Sequence, residues 1–320
     1  MTFSNKVILI TGGAGFIGSN MADVLIKQDV KKIIVLDNFC ASKKENIAHL
    51  LDNPKFSLVT GDVRDPELIE ELVQKSDIVF NLAASKLVVA LEKPRTDLET
   101  NIIGIFNVLE AARKKPEVRI VHASTGSVLG SSDKPMPEDH PPKPTTLYGI
   151  SKLTGENYCR FYAKEFGIKV SVIRYFHVFG PRQDYAGKAG VINIFLSRVL
   201  QGQAPLIFGT GEQLRCFTFV LDDVEATLML ASRKDTIGET YNVAAETRLS
   251  INDLAETIIE KYAADKTMKP EYGPAAQGEN LRPVPDTKKI ENLGFRPKYT
   301  FEQGLEITKN WIAEDIKNKN

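Results

Sequence analysis

Through the first half of the chain, short apolar runs rich in β-branched residues alternate with longer segments of helical periodicity. The runs are KVILIT (6–11), KIIVLD (32–37), FSLVTGD (56–62), DIVFNLAA (77–84), VRIVHAS (118–124) and KVSVIRYF (169–176). Near-continuous apolar strands separated by helices predict a parallel sheet covered on both faces. Between them, RDPELIEELVQK (64–75) predicts a helix with Asp65 as N-cap and Pro66 at its first position. NIIGIFNVLEAARKK (101–115) predicts another, strongly apolar on one side. A loop rich in Pro and Asp (130–146) ends in threonines suited to cap a helix over 147–164.

After about residue 175 the alternation loosens, and short apolar segments in 204–224 mix with helical patterns at 191–201, 222–233, 251–263 and 301–317. The expected fold is α/β: a Rossmann-type doubly wound parallel sheet with a smaller mixed α/β C-terminal lobe. The expected boundary separates 1–175, a dinucleotide-binding domain, from 176–320, with a segment near 217–245 returning to the first domain.

Composition narrows the partners. Of 320 residues, 41 are Lys or Arg and 41 Asp or Glu, so the net charge of zero gives no electrostatic reason for nucleic acid or an anionic membrane. Cys40, Cys159 and Cys216 are far apart, which fits free thiols in a reducing compartment and no zinc site. No apolar run approaches the ~18 residues of a membrane span. The apolar start VILI breaks into glycines without a signal-peptide layout, so a cytoplasmic protein is expected.

Directly after the first strand, TGGAGFIGS (11–19) opens a helix and carries Gly12, Gly15 and Gly18 at three-residue spacing. Glycines admit a pyrophosphate close to the backbone, and the helix N-terminus offers free N–H groups and positive potential. Asp37 ends the second strand 19 residues past Gly18. A carboxylate there suits two ribose hydroxyls and repels a 2′-phosphate, which favours NAD over NADP. Asp62, after the third strand, is a candidate for the adenine, or equally a turn aspartate.

In HASTGSVLG (122–130) a strand ends in two hydroxyls, Ser124 and Thr125. LYGISK puts Tyr148 and Lys152 four residues apart, on one helix face. A phenol of pKa about 10 is a poor base at neutral pH. A nearby ammonium and a positively charged nicotinamide would lower that value and let the tyrosine remove a hydroxyl proton while hydride leaves the same carbon.

With TGGAGFIGSN, LDN (36–38), GDVRD (61–65), NLAASK (81–86), YGISK, RYFHVFGPR (174–182), FGTGEQLRCFTFVLDDV and GENLRPVPDTKKIENLGFRP (278–297), the chain resembles the extended short-chain dehydrogenase/reductases. Within them it is similar to the nucleotide-sugar epimerases and dehydratases, over essentially its whole length. The resemblance implies that Thr125 (or Ser124), Tyr148 and Lys152 form the catalytic set. It puts Gly12, Gly15, Phe16, Ile17, Asp37, Asn38, Ser42, Asp62, Val63, Leu82, Ala83, Lys86, Asn101 and Tyr175 around NAD. For a UDP-sugar it implies Lys86, Thr125, His177, Val191, Leu206, Phe208, Arg215 and Arg282.

Members of that family share an opening oxidation at the sugar C4. In 4,6-dehydratases an Asp-Glu pair follows the active-site Thr; here those positions are Gly126 and Ser127. The leading expectation is therefore 4-epimerisation of a UDP-hexose or UDP-N-acetylhexosamine. The alternative is an atypical dehydratase or hydride-relay isomerase in which His177, standing for the usual Asn, or Cys216, standing for the usual Asp, transfers a proton near C5 or C6. Leu129 for an aromatic residue and a segment from Lys86 to Pro94 one residue short are further departures. A non-catalytic NAD-binding protein would be marked by loss of Tyr148 or Lys152, and both are present. The resemblance also implies a homodimer packed through the helices at 101–115 and 147–165.

Overall fold

The computed structural model describes residues 3–186, 190–245, 247–274 and 284–319. In chain order its first half contains β1 (Val7–Thr11), α1 (Phe16–Ile26), β2 (Lys32–Asp37), β3 (Phe56–Thr60), α2 (Pro66–Gln74) and β4 (Ile78–Asn81). There follow α3 (Leu87–Glu92), α4 (Pro94–Leu98), α5 (Gly104–Arg113), β5 (Arg119–Thr125), α6 (Leu147–Phe166) and β6 (Lys169–Tyr175). The second half adds β7 (Val178–Phe179), α7 (Val191–Leu200), β8 (Leu206–Phe208), β9 (Leu214–Cys216), β10 (Thr218–Phe219) and α8 (Val220–Ser232). It closes with β11 (Thr240–Val243), β12 (Arg248–Ser250), α9 (Ile251–Tyr262), β13 (Glu271–Gly273), α10 (Lys288–Asn292) and α11 (Phe301–Lys319).

Seven strands form one sheet in the order β11-β6-β5-β4-β1-β2-β3, and every pairing in it is parallel. Alternate residues of each strand feed two separate apolar layers. Ile8, Ile10, Ile33, Val35, Ile78 and Phe80 face one; Leu9, Ile34, Leu36, Val79, Ile120 and Val172 face the other. That explains the unbroken apolar runs, because both parities are buried. Each fully buried aliphatic side chain contributes roughly 1.5–3 kcal/mol. The remaining strands form three two-stranded pairs, β7 with β10, β9 with β12 and β8 with β13.

The helix starts follow their chemistry. Asp65 accepts the N–H of Leu68 at 3.0 Å and Pro66 opens α2. Thr146 accepts the N–H of Gly149 at 3.0 Å and starts α6, which Gly167 ends in the left-handed region at φ 67°. The helix expected over 101–115 differs: a π-helical turn, Glu99–Ile103, precedes α5. The short helices α3, α4 and α10 have no counterpart in the sequence reading.

Successive strands are added outward from β1 to β2 and β3 on one side and from β4 to β5 and β6 on the other. The strand order therefore reverses between β1 and β4, and a crevice opens at their carboxyl ends. A chain of hydrogen bonds ties the strand ends there. The N–H of Ala83 donates to Thr11 Oγ1 (3.2 Å), whose hydroxyl donates to Asn81 Oδ1 (2.8 Å). The Asn81 amide then meets Nδ1 of the buried His122 at 3.0 Å, so β1, β4 and β5 are held in register below the crevice.

Candidate active site

A cleft of about 1150 Å³ runs along the carboxyl ends of β1, β2, β4 and β5. Its floor is the glycine turn. Gly12 has φ +67°, and a Cβ there would sit 2.9 Å from both Cα and N of Ala83. A Cβ on Gly18 would lie 2.5 Å from the Gly12 carbonyl oxygen. Glycine at Gly12 lets the turn close on the backbone that follows β4, and glycine at Gly18 lets α1 close on the turn. The N-cap Gly15 offers no side-chain acceptor and the first turn of α1 has no acid, so its N–H groups stay available to an anion. A pyrophosphate fits that cradle.

Asp37, at the end of β2, is fixed from three sides. Its Oδ2 accepts the N–H of Ala14 at 2.9 Å, and its Oδ1 accepts the N–H of Phe39 at 2.9 Å and the Ser42 hydroxyl at 2.7 Å. Phe16, Ile17, Asn38, Ser42 and Val63 line the same end of the cleft; Leu82, Ala83 and Lys86 line the wall after β4.

Asp62 and Asn101 take other positions from those expected. Asp62 is absent from the cleft lining: Arg64 grips both its carboxylate oxygens at 2.9 and 2.8 Å, and Asn38 donates to it at 2.7 Å. Against partial burial, which raises it, the Arg64 bonds bring this carboxyl down to about 2. Asn101 is buried in a network of side chains behind the cleft wall.

Thr125, Tyr148, Lys152, Tyr175 and His177 meet farther along the cleft. Tyr148 is the second residue of α6, so the Thr146 cap sets its direction, and its hydroxyl hydrogen-bonds the Thr125 side chain. Thr125 Oγ1 also accepts the N–H of Ser127 at 3.2 Å. Burial pushes the Tyr148 phenol up to about 12, with Asp97 adding to the rise. Burial brings the Lys152 ammonium down to about 8, against the opposing pull of Cys159, Glu156 and Asp97. The Thr125 hydrogen bond opposes the rise at Tyr148, and the lowering expected from Lys152 does not contribute in this structure.

Ser124 lines the cleft, but its hydroxyl donates to Glu156 Oε1 at 2.5 Å. Glu156 is fully buried and paired with Arg174 through two bonds of 2.9 and 2.7 Å. The Ser124 hydroxyl therefore belongs to an ion-pair network under the sheet, and Thr125 is the hydroxyl that meets Tyr148.

His177 has φ +41°, faces the cleft and packs edge-on against Phe217 at 6.0 Å. The surrounding walls, and then the charge of Arg215, hold its imidazole below the ordinary value. Cys216 is outside the cleft, buried in a small apolar cluster with Phe176, Leu129 and Met136, where burial pushes the thiol up. Val191, at the start of α7, lines the cleft; Leu206, Phe208 and Arg215 stand outside its lining. Arg282 lies outside the described residues.

The outer lip was missed. Tyr185, Trp311, Asp315 and Lys319 line it, with Tyr185 donating to Asp315 at 2.6 Å and packing edge-on to Trp311 at 6.0 Å. Arg182, at φ 70°, bonds the Asn46 carbonyl (3.0 Å), Asn20 (3.1 Å) and Asp23, joining this segment to α1. Its place in the GPR motif was a usable signal, as was the single tryptophan on an amphipathic terminal helix.

A glycine-floored cleft at a topological switch point, with Thr, Tyr and Lys beyond it, defines a dinucleotide-dependent enzyme of the extended short-chain dehydrogenase/reductase class. The sequence signature described as GDP-mannose 4,6 dehydratase matches residues 9–308, and the chain belongs to that family. A UDP-N-acetyl-alpha-D-glucosaminuronate decarboxylase from Bacillus cytotoxicus is 35% identical, over 97% of this chain and 98% of its own. The UDP-glucose 4-epimerase of Thermotoga maritima, solved with UDP-glucose, is 34% identical with a TM-score of 0.89, over 97% of this chain and 99% of its own. The UDP-glucose 4-epimerase of Thermus thermophilus, solved with NAD, is 31% identical with a TM-score of 0.86, over 96% of this chain and 99% of its own.

Proposed function

We propose that this enzyme is an NAD-dependent 4-epimerase of a UDP-hexose or UDP-N-acetylhexosamine, working through transient oxidation at C4. The observation that carries the reading is the turn after Thr125. A dehydratase of this family needs acid and base side chains there. At Gly126 a Cβ would stand 2.2 Å from the Phe176 ring, so a side chain there would require that buried ring to shift, and the next residue is Ser127. The carboxylates that do line the cleft are Asp37, Glu45, Asp184 and Asp315, none of them on β5, on α6 or in the turn 126–130. Among the described residues an elimination across C5 and C6 therefore lacks the carboxylate pair that would serve it after Thr125, whereas epimerisation requires none.

NAD, when bound, would supply the hydride acceptor for C4. The glycine turn and the N-terminus of α1 would hold its pyrophosphate, and Asp37 its ribose. Thr125 hydrogen-bonds the C4 oxygen, and Tyr148 takes its proton and gives it back. Lys152 sits one helical turn from Tyr148, where a positive charge favours the phenolate. The UDP group would lie toward Leu206, Phe208 and Arg215, with Lys86, His177 and Val191 nearer the sugar. An arginine suits a dianionic diphosphate.

A homodimer is part of the same reading. Leu98, Ile103, Ile150, Tyr158 and Phe161 are exposed apolar side chains on α4, the π-helical turn and α6. A second copy packed there would cover them.

One observation favours a second reading: His177 faces the cleft with a strained backbone, so an imidazole is available to move a proton near C5. Product analysis separates the two. Purified enzyme incubated with UDP-glucose, UDP-N-acetylglucosamine or UDP-glucuronic acid is expected to change configuration at constant mass. Loss of water would establish the dehydratase reading, and release of carbon dioxide a decarboxylase. Tyr148→Phe is expected to abolish turnover while NAD remains bound; near wild-type turnover would overturn the catalytic assignment.

A further inference from the structure

Behind the cleft wall lies a buried carboxylate that the mechanism has not used. Asp97, on α4, is 2% exposed. Its Oδ1 accepts from the Asn101 amide at 2.8 Å and from the Ser85 hydroxyl. The same amide donates its other hydrogen to Ser151 Oγ at 3.0 Å, while Asn101 Oδ1 accepts the N–H of Ser85 at 3.0 Å. Ser151 in turn donates to the carbonyl of Tyr148 at 3.0 Å. An unbroken chain thus runs from the carboxylate to the helical turn that carries Tyr148, and a branch fixes Ser85 next to Lys86. Asn101 sits in the π-helical turn, a device often found at functional positions.

The charges around this point sort themselves. Glu156 on α6 is neutralised by Arg174 of β6. Burial pushes the His122 imidazole of β5 well down and the Cys159 thiol of α6 up, so both are neutral. Lys152 is the cation of the group, and the charge of Asp97 raises both Lys152 and Tyr148.

We propose that Asp97 is the positioning residue of the Tyr148–Lys152 pair, orienting α6 through Asn101 and Ser151 and setting with its charge the pH at which the pair exchanges protons. The proposal rests on the catalytic reading of that pair. A buried anion disfavours the phenolate and favours the ammonium. Removing its charge therefore moves both titrations to lower pH.

Asp97→Asn keeps an oxygen to accept the bonds of Asn101 and Ser85 but removes the charge. Its pH–rate profile for turnover is expected to move to lower pH by about half a unit or more. Ser151→Ala cuts the chain without touching a charge, and should lower kcat about fivefold or more, with NAD affinity and the position of the limb unchanged. An Asp97→Asn profile superimposable on wild type overturns the electrostatic half. Wild-type kcat in Ser151→Ala overturns the positioning half, and that arm stands even if Asp97→Asn fails to fold. Tyr148→Phe run beside them separates the two levels: if it still turns over, the catalytic reading has failed, not the role of Asp97 alone.

Discussion

Replacing Gly12 by Ala tests the cofactor cradle most sharply. The added Cβ would stand 2.9 Å from Cα and N of Ala83, well inside the ~3.5–4.0 Å at which carbons attract. Ala83 cannot yield freely, because its N–H is bonded to Thr11 and the N–H of Leu82 to the Thr11 carbonyl at 3.2 Å. The backbone at φ +67° adds roughly 1–2 kcal/mol for a residue bearing a Cβ. Loss of the Ala83–Thr11 hydrogen bond adds about 1 kcal/mol. The sum, about 2–3 kcal/mol, falls on the wall that meets the pyrophosphate. It predicts NAD binding weakened about 30- to 150-fold, or a comparable loss of stability if the turn reopens on its own. Trp311 lines the same cleft, so NAD titration followed by tryptophan fluorescence reads the effect directly. Gly202→Ala is the control, since Gly202 shares a positive φ of +73° but has nothing within 4 Å of its Cβ position. NAD affinity within threefold of wild type in Gly12→Ala, at unchanged melting temperature, would refute the cradle.

Other outcomes follow from single side chains. Glu156→Gln leaves Arg174 buried without its anion and is expected to cost about 3–5 kcal/mol, read as a fall in melting temperature; an unchanged melt would contradict the ion-pair account. Lys152 is held near 8 in the folded chain, below its usual 10.5, so the unfolded chain binds more protons between those values. Stability from this group therefore rises with pH over that window, and thermal melts of Lys152→Met should lose that rise. Phe161→Glu, in the exposed apolar face of α6, should shift the protein to monomer in light scattering while leaving its circular dichroism intact.

Much of the fold is legible in the sequence because the sheet is buried on both sides, and runs such as Ile8, Leu9 and Ile10 leave no polar position to confuse the pattern. The glycine turn is equally plain, since the turn lies against Ala83 at Gly12 and α1 lies against the turn at Gly18, close approaches that favour glycine. What escapes local reading depends on distant partners. Ser124 looks equivalent to Thr125 until Glu156, 32 residues on, claims its hydroxyl. Nothing near Asp62 in the sequence says that Arg64 folds back onto its carboxylate, and Asp97 carries no signal in the sequence, because Ser85 and Asn101 close around it only in the fold. The outer lip is hidden for the same reason: Tyr185 and Asp315 lie 130 residues apart in the chain. Short helices such as α3 and α4 carry too few residues for any periodicity to emerge.

The central claim is that hydride leaves and returns to the same carbon with nothing eliminated. It is tested most directly by proton NMR of a UDP-hexose incubated with the purified enzyme in deuterated water. The account predicts inversion at C4 with the C4 proton retained, no solvent deuterium at that carbon, and unchanged substrate mass. A product that has lost water, or carries deuterium at C5 or C6, would contradict it.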